Sequence, residues 1–302
     1  MTVPVRIAVP RKGRPLEAVL DRIATVSGNE AVADEVISTL RYEKAVTKGS
    51  LRDERDVYHR LSTYSDLADP YHPDFTLLRD DRDGKPRRIV FDSLTVDVDG
   101  VAVELVGREE PFRALRTHSF ALGFDSADLV LEEVVSLEPD PLSDIDGLND
   151  RIDPHDTDVR VVTGLGDTVH HTILAKPAVV EDAPVSEPDR SFVDEYEGPL
   201  VISPRYERLV EAILGTRATE GLSFEYPDPG VEEETAIAER GIGIYLTVTG
   251  GTAREQGLLV GEKLFPSETV LLENVHEADG DDVESVKSAL RYEQSVSTVP
   301  LA

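Results

Sequence analysis

The chain has 302 residues, of which 60 are acidic and 31 basic, so its formal net charge at pH 7 is −29, and it contains no cysteine. The absence of cysteine excludes disulfides and thiol catalysis, and the strong negative charge argues against nucleic acid as a partner. Because the acidic residues are spread along the chain instead of forming a tail, we predict a halophilic protein whose self-repulsion is screened in molar salt, where the Debye length is about 3 Å.

The first half of the sequence predicts alternating strands and helices. Its predicted strands are at 5–10, 88–98, 101–106 and 120–124, and its predicted helices begin at residue 16 and lie at 29–42 and 111–117. The strands at 88–98 and 101–106 are separated by Asp99-Gly100, a strong signal for a two-residue hairpin turn. The Asp-rich and Arg-rich segment at 80–86 is typical of a hairpin or a loop.

The second half continues this alternation, with two long polar connections. Its predicted strands are at 159–163, 169–175, 200–203, 242–248 and 270–272, its helices at 206–214, 231–240 and 281–293, and its connections at 136–158 and 180–197. Alternation at both ends indicates an α/β fold, and 302 residues are enough for two domains. We therefore predict a first α/β lobe formed by 1–140 and 263–302 and a second α/β lobe formed by 155–262.

Neither a membrane segment nor a secretion signal is predicted. No apolar run approaches the roughly 18 residues that a membrane span needs, and arginines such as Arg6 and Arg11 interrupt the N-terminal region. We therefore expect a cytoplasmic protein without a membrane partner.

The turn after the strand at 242–248 has the composition of a phosphate-binding loop. It reads Thr249-Gly250-Gly251-Thr252 and leads into a predicted helix. Two glycines let several backbone N–H groups converge on one point, and two threonines add hydroxyl donors. The N-terminus of the following helix adds partial positive charge. An ordinary strand-to-helix turn is the alternative.

A second candidate anion site follows the first strand. Three cations, Arg11, Lys12 and Arg14, surround Gly13 where the strand gives way to a helix. Because ligands of open α/β sheets bind at the carboxyl ends of the strands, we predict that these residues contact an anionic ligand. A solvated basic turn is the alternative.

These two motifs, together with segments between them, resemble the ATP phosphoribosyltransferase family, the first enzyme of histidine biosynthesis. The stretches that carry the resemblance are the basic turn 10–15, the segment 103–130, Gly230-Val231-Glu232 and the loop 249–258. The likeness extends over residues 3–26, 101–135 and 198–275. Residues 27–88 are accordingly interpreted as an insertion.

The resemblance implies a two-lobed fold of the type II periplasmic-binding-protein kind, with the ligand in a cleft between two α/β lobes. It also implies that ATP is joined through N1 of its adenine to phosphoribosyl diphosphate, with release of diphosphate and with Mg²⁺ as cofactor. Such chemistry needs no covalent nucleophile. No catalytic residue or metal ligand is assigned. The 5-phosphate is expected to contact Thr249, Gly250, Gly251 and Thr252. The diphosphate, or the phosphates of the acceptor, is expected to contact Arg11, Lys12, Gly13 and Arg14. Supporting polar contacts are expected at Glu232 and Asp128.

Three positions depart from the family pattern. Ala121, Gly241 and Tyr245 stand where family members carry acidic residues, and carboxylates at such sites would hold Mg²⁺ or hydrogen-bond the ribose hydroxyls. A different nucleotide or base as acceptor is one interpretation of these changes. The alternative class of function is a non-catalytic, two-lobed binding or regulatory module for a phosphorylated or nucleotide ligand. Formation of a homo-oligomer is left open.

Overall fold

Two separate β-sheets organise the chain, one in each of two units. The computed structural model describes residues 3–78, 87–134, 145, 147–181, 188–228 and 231–291. Unit 1 comprises Met1–Ser126, Asp158–Asp167 and Thr269–Ala302, and unit 2 comprises Ala127–Thr157 and Thr168–Glu268. Each unit combines helices with its own sheet, so the chain has a mixed α/β fold with two sheets, as predicted.

Unit 1 is built on a seven-stranded mixed sheet. Its strands are β1 (Val5–Pro10), β2 (Asp74–Leu78), β3 (Arg88–Val98), β4 (Val101–Arg108), β5 (Leu122–Ser126), β6 (Val159–Gly164) and β12 (Thr269–Asn274). Its helices are α1 (Gly13–Ser27), α2 (Glu30–Lys48), α3 (Val57–Tyr64), α4 (Pro111–Arg116) and α12 (Asp281–Leu290). The strand order is β2-β3-β4-β1-β5-β12-β6, and β1 is parallel to both of its neighbours.

The position of β1 in the sheet follows from its apolar sequence. Ile7, Ala8 and Val9 are consecutive and completely buried, which is typical of a parallel strand that is covered on both faces. Leu16 and Val19 of α1 pack into the same core. Because β1, β4 and β5 run parallel, the basic turn that follows β1 lies at the carboxyl edge of these strands.

The predicted hairpin between β3 and β4 is confirmed. Asp99 and Gly100 have φ angles of 51° and 83°, as both central residues of a type I′ turn require. The carboxylate of Asp97 also accepts a hydrogen bond from the N–H of Gly100 at 2.9 Å. The turn chemistry of these residues is thus sufficient to specify the antiparallel pairing of β3 with β4.

Residues 27–88, which were interpreted as an insertion, contribute two helices and an edge strand to unit 1. Helix α2 is longer than predicted, and α3 and β2 are additional to the predicted elements. A buried ion pair joins α2 to α3, with Nε and Nη2 of Arg60 lying 2.8 and 3.1 Å from the carboxylate oxygens of Glu43. The hydroxyl of Tyr64 donates to the same carboxylate at 3.0 Å. The hairpin or loop predicted at 80–86 lies outside the described residues.

Unit 2 is built on a five-stranded sheet. Its strands are β7 (Val169–Ala175), β8 (Gly198–Val201), β9 (Leu222–Glu225), β10 (Ile242–Thr247) and β11 (Leu259–Ser267). Its helices are α5 (Ala127–Val134), α6 (Pro177–Val180), α7 (Arg190–Glu195), α8 (Glu207–Leu214), α9 (Thr216–Thr219), α10 (Glu233–Arg240) and α11 (Gly251–Glu255). The strand order is β11-β7-β10-β8-β9, with β10 antiparallel to β7 and parallel to β8.

The structure divides the chain at different residues from those predicted. Strands at 159–163 and 169–175 were both expected to open the second lobe, but β6 pairs with β12 in the sheet of unit 1. Conversely, α5 belongs to unit 2 although it precedes residue 140, and β11 continues unit 2 beyond residue 262. The reason is that β6 finds its partner more than a hundred residues later in the chain, where local sequence patterns carry no information.

The predicted polar connections are described only in part. The first contains a short 3-10 turn at Asn149–Arg151, and the second contains α7. Residues 135–144, 146 and 182–187 of these connections lie outside the described part of the chain. Among the helices that the structure describes, none combines the length and the apolar character needed to cross a bilayer.

Candidate functional site

The predicted phosphate loop lies between β10 and the short helix α11 of unit 2. Gly250 has a φ of 71°, and a Cβ atom at this position would lie 2.6 Å from Cγ2 of Val260. Both the backbone conformation and the packing therefore require glycine here. Gly251 and Thr252 begin α11, so their backbone N–H groups have no acceptor within the helix. The turn thus presents backbone donors, as a phosphate-binding loop must.

The loop is fixed by contacts within unit 2. Nη1 of Arg254 donates a hydrogen bond to the carbonyl oxygen of Thr249 at 2.6 Å, and the backbone N–H of Arg254 donates to Gly250 at 3.0 Å. At the end of β10, the buried hydroxyls of Thr172 and Thr247 hydrogen-bond to each other at 2.6 Å. The conformation of the turn is therefore set by the protein before any ligand binds.

A cavity of about 210 Å³ lies against this loop. Its lining includes all four predicted residues, Thr249, Gly250, Gly251 and Thr252, together with Glu234 of α10. The volume is below the roughly 300–1,000 Å³ of a pocket for a whole small molecule, so it suits a single phosphate-sized group. The structure thus brings the predicted loop residues together around one small cavity.

The presence of glycine at position 241, one of the departures from the family pattern, has a structural explanation. Its φ is 119°, and a Cβ atom would lie 2.9 Å from Cγ2 of Val179. Gly241 also ends α10, with its N–H donating to the carbonyl oxygen of Ile237 at 2.8 Å. An acidic side chain at this position would be strained, which explains why it carries none.

A second departure, Tyr245 on β10, is subject to the charge of three nearby carboxylates. Glu232, Glu233 and Glu234 lie at the N-terminus of α10, and one oxygen from each lies within 4.8 Å of the others. Tyr245 is half-buried, and its hydroxyl is within electrostatic range of Glu233 and Glu234. Burial, and then the charges of Glu233 and Glu234, raise the pKa of its hydroxyl, which therefore stays protonated at neutral pH. Carboxylates that β10 lacks are thus supplied by the neighbouring helix.

Of the basic turn, Arg11 is directed toward the neighbouring strands. Its Nε donates to the carbonyl oxygen of Gly107 at 3.1 Å, and its Nη2 lies 3.4 Å from the carboxylate of Asp92. Its side chain is only 19% exposed. The guanidinium thus helps to hold the turn to β3 and β4, and a direct contact of Arg11 with a ligand stays a prediction.

The remaining residues of the turn, Lys12, Gly13 and Arg14, line a separate cavity of about 540 Å³ in unit 1. Nη1 of Arg14 lies 2.5 Å from a carboxylate oxygen of Asp167 and 2.7 Å from its carbonyl oxygen. The ammonium of Lys12 lies 3.9 Å from the carboxylate of Glu109, a long ion pair between partly exposed side chains. These two cations are thus placed at the rim of a cavity, as an anion site requires.

Asp128, for which a supporting polar contact is predicted, is buried within unit 2. It is 1% exposed in the first turn of α5, and its carboxylate lies 3.0 Å from Nε2 of the buried His171. The imidazole ring of His171 stacks on Phe265 at 4.1 Å and meets Tyr206 edge-on at 4.5 Å. The carboxylate is therefore enclosed within unit 2, and any support that it gives to a substrate would be indirect.

Two sets of charged residues near these sites were missed by the sequence analysis. Arg41, Lys44 and Lys48 lie on α2 and line the same cavity as the basic turn. Their spacing of three and four residues, within a strongly acidic chain, is a signal that the sequence contains, but the helix was predicted to end at residue 42. Glu233 and Glu234 offered no comparable signal, because acidic residues occur throughout the chain.

Solved structures show low similarity that extends over most of this chain. The ATP phosphoribosyl transferase (HisG:HisZ) complex from Thermotoga maritima is 13% identical, with a TM-score of 0.42 and coverage of 95% of each chain. The regulatory domain of NMB2055 (MetR), a LysR family regulator from N. meningitidis, is 11% identical, with a TM-score of 0.38 and coverage of 96% of this chain and 93% of that chain. A periplasmic substrate-binding protein of an ABC transporter from Coxiella burnetii is 11% identical, with a TM-score of 0.36 and coverage of 95% and 91%. Similarities at this level do not identify a function.

Similarity at the level of sequence is decisive for the family. No curated protein matches this chain. The sequence model of a family described as halobacterial ATP phosphoribosyltransferase matches residues 1–300, which include the insertion and both glycine-containing turns. The resemblance seen in the sequence is thereby confirmed, and the chain belongs to the halobacterial ATP phosphoribosyltransferase family.

Proposed function

We propose that this chain is a phosphoribosyltransferase that joins ATP to phosphoribosyl diphosphate. A bond forms between N1 of adenine and C1 of the ribose, while the bond from C1 to diphosphate breaks and diphosphate leaves with the electron pair. One observation carries the proposal, namely the match to a family of ATP phosphoribosyltransferases over residues 1–300. The turn at Gly250, with its phosphate-sized cavity, supports it.

In this proposal, the loop Thr249–Thr252 holds the 5-phosphate of phosphoribosyl diphosphate. Backbone N–H groups at a helix N-terminus and threonine hydroxyls donate hydrogen bonds, and a phosphate accepts them. Gly251 is exposed, and a Cβ atom there would meet no atom nearer than 3.7 Å, so a ligand can approach the turn. Because the ribosyl centre becomes cationic as diphosphate leaves, holding the two substrates in line is the main requirement for catalysis.

The Mg²⁺ that the family resemblance implies has a candidate set of ligands in Glu232, Glu233 and Glu234. Their oxygens lie within 4.8 Å of one another, and Mg²⁺ prefers carboxylate oxygens combined with water and substrate phosphates. The donor set therefore fits the ion. Bound Mg²⁺ would offset the negative charge of the diphosphate. Glu234 also lines the loop cavity, which connects the carboxylates with the proposed phosphate site.

The basic turn of unit 1 is proposed to contact the diphosphate or the phosphates of the acceptor. Lys12 and Arg14 provide the charge, and Gly13, with a φ of 84°, allows the turn between β1 and α1. Arg11 is proposed to position this turn, because its guanidinium donates a hydrogen bond to the carbonyl oxygen of Gly107.

Self-association of the chain stays a prediction that sedimentation velocity in molar KCl would test.

The experiment that tests transfer is a diphosphate-release assay in molar KCl with Mg²⁺, ATP and phosphoribosyl diphosphate. Wild type is expected to release diphosphate only when both substrates are present. Thr252→Ala should lower the rate because it removes a hydroxyl donor from the loop. Thr25→Ala, which changes an exposed threonine on α1, is the matched control and should behave as wild type.

A non-catalytic binding module is the second candidate, because Gly241, which precedes β10, and Tyr245 on β10 replace carboxylates of the family pattern. Such a module would bind phosphoribosyl diphosphate without releasing diphosphate when ATP is added. The same assay therefore separates the two candidates. Binding without turnover in wild type would favour the module and would overturn the proposed transferase.

A further inference from the structure

Unit 1 contains a cavity whose charge is opposite to that of the whole chain. It has a volume of about 540 Å³, and six of its lining residues are cationic, Lys12, Arg14, Arg41, Lys44, Lys48 and Arg88. Only one lining residue, Glu17, is anionic, so the formal charge of the lining is +5 in a chain whose net charge is −29. Three of the chain's seven lysines meet here.

Three separate elements supply these cations. The basic turn at the start of α1 contributes Lys12 and Arg14, and the first residue of β3 contributes Arg88. Helix α2 contributes the remaining three cations. Arg41, Lys44 and Lys48 recur after three and four residues, so they lie on one face of the helix. Helix α2 belongs to the insertion 27–88, and the cavity is therefore a feature that the insertion completes.

Acidic side chains only partly neutralise this lining. Arg41 pairs with Glu17 at 2.7 Å, and Arg14 pairs with Asp167. Within the described residues, by contrast, no carboxylate lies within ion-pair distance of Lys44 or Arg88. The chain has about two acidic residues for every basic one, so acidic partners for these two cations are not scarce.

Arg88 carries the strongest sign of a missing partner. Its Nε is inaccessible to solvent, and among the described residues it has no hydrogen-bond acceptor. A buried donor without an acceptor is destabilising, and such a group is explained when a ligand supplies the acceptor. The favourable effect of cations at a helix C-terminus accounts for Lys48 alone. Lys44 precedes the last turn of α2, and Lys12 and Arg88 lie on other elements.

We propose that this cavity binds a linear polyphosphate, either as the triphosphate of a nucleotide or as free diphosphate. Several phosphate groups in a row match several cations on three elements, and the volume lies within the range of small-molecule sites. Assigning the cavity to the acceptor nucleotide rests on the proposed function, whereas binding of polyphosphate does not. Helix α2 then has a role in ligand binding.

Calorimetric titration with inorganic tripolyphosphate in metal-free molar KCl tests the proposal. The test variant is Lys44→Gln/Lys48→Gln, which removes two cations from the exposed face of α2 while keeping good helix-forming residues. The matched control is Lys176→Gln/Lys263→Gln in unit 2, which changes the net charge by the same amount. All proteins also carry Thr252→Ala, so that binding at the loop of unit 2 contributes less to the signal.

The test variant should bind tripolyphosphate at least about tenfold more weakly than the control, because hydrogen bonds to charged groups are lost. Equal affinities of the folded test and control variants, or no binding to either the control or the parent protein, would overturn the proposal. Competition then identifies the source, since ATP displaces tripolyphosphate at a nucleotide site and diphosphate does so more strongly at a site for the released product. Neither result depends on turnover, so a failed diphosphate-release assay leaves this test intact.

Discussion

Replacing Gly250 with alanine tests whether the candidate phosphate loop depends on glycine. The φ of 71° costs alanine about 1–2 kcal/mol, and the contact of its Cβ with Val260 at 2.6 Å adds about 1–3 kcal/mol of overpacking. Alanine also lowers the conformational entropy of the unfolded chain, which offsets roughly 0.4–1 kcal/mol of this destabilisation. We therefore expect Gly250→Ala to lower the free energy of unfolding of unit 2 by about 2–4 kcal/mol.

Gly257→Ala is the matched control for the backbone conformation. Gly257 has a φ of 74°, but no atom lies within 4 Å of the position of its Cβ. The two variants should therefore differ by the packing contribution alone, about 1–3 kcal/mol, measured by urea unfolding in molar KCl with circular dichroism. Combining Gly250→Ala with Val260→Ala should remove most of that difference. Equal destabilisation of the two glycine variants, or a difference that survives Val260→Ala, would refute the reasoning.

Three further predictions concern interior contacts and charge. Asp128→Ala should lower the free energy of unfolding of unit 2 by about 1–3 kcal/mol if the contact of Asp128 with His171 is a neutral hydrogen bond, and by about 3–5 kcal/mol if it is an ion pair. A decrease below about 0.5 kcal/mol in urea unfolding would contradict a structural role. Burial and the hydrogen bond to Glu43 raise the pKa of Tyr64 to about 12. Because the pKa of Tyr64 is raised in the folded state, the contribution of this residue to stability is complete below about pH 10 and is lost as the pH rises toward 12. Tyr64→Phe should therefore remove the step at highest pH from the curve of tyrosinate absorbance against pH. An unchanged curve would contradict this prediction. Transfer from molar to about 0.1 M KCl lengthens the Debye length to about 10 Å, so circular dichroism should show unfolding, and a fully folded protein at low salt would contradict the predicted halophilic character.

Local turn chemistry made part of the fold predictable. The hairpin at Asp99-Gly100 could be predicted because only a few residue types tolerate positive φ at both central positions. The loop at Gly250 followed from the same logic, and the structure confirms that this glycine has a positive φ. In both cases a single short segment contains the physical cause of its own conformation.

Features that depend on distant partners could not be predicted in this way. The alternating pattern of β6 identifies a strand but not the sheet to which it belongs, because its partner β12 lies far along the chain. The sequence likewise shows that Arg11 and Asp128 are charged, but not that Gly107 and His171 bind them. The partners of site residues that were predicted from charge alone could therefore not be foreseen.

Calorimetric titration of phosphoribosyl diphosphate in molar KCl with Mg²⁺ tests the central claim most directly, namely that the loop of unit 2 is a phosphate site. Wild type and the control Thr25→Ala should bind with the same affinity. Thr252→Ala should bind at least about tenfold more weakly, because a hydrogen bond to a charged phosphate is lost. No binding to folded wild type, or equal affinities of wild type and Thr252→Ala, would contradict the account.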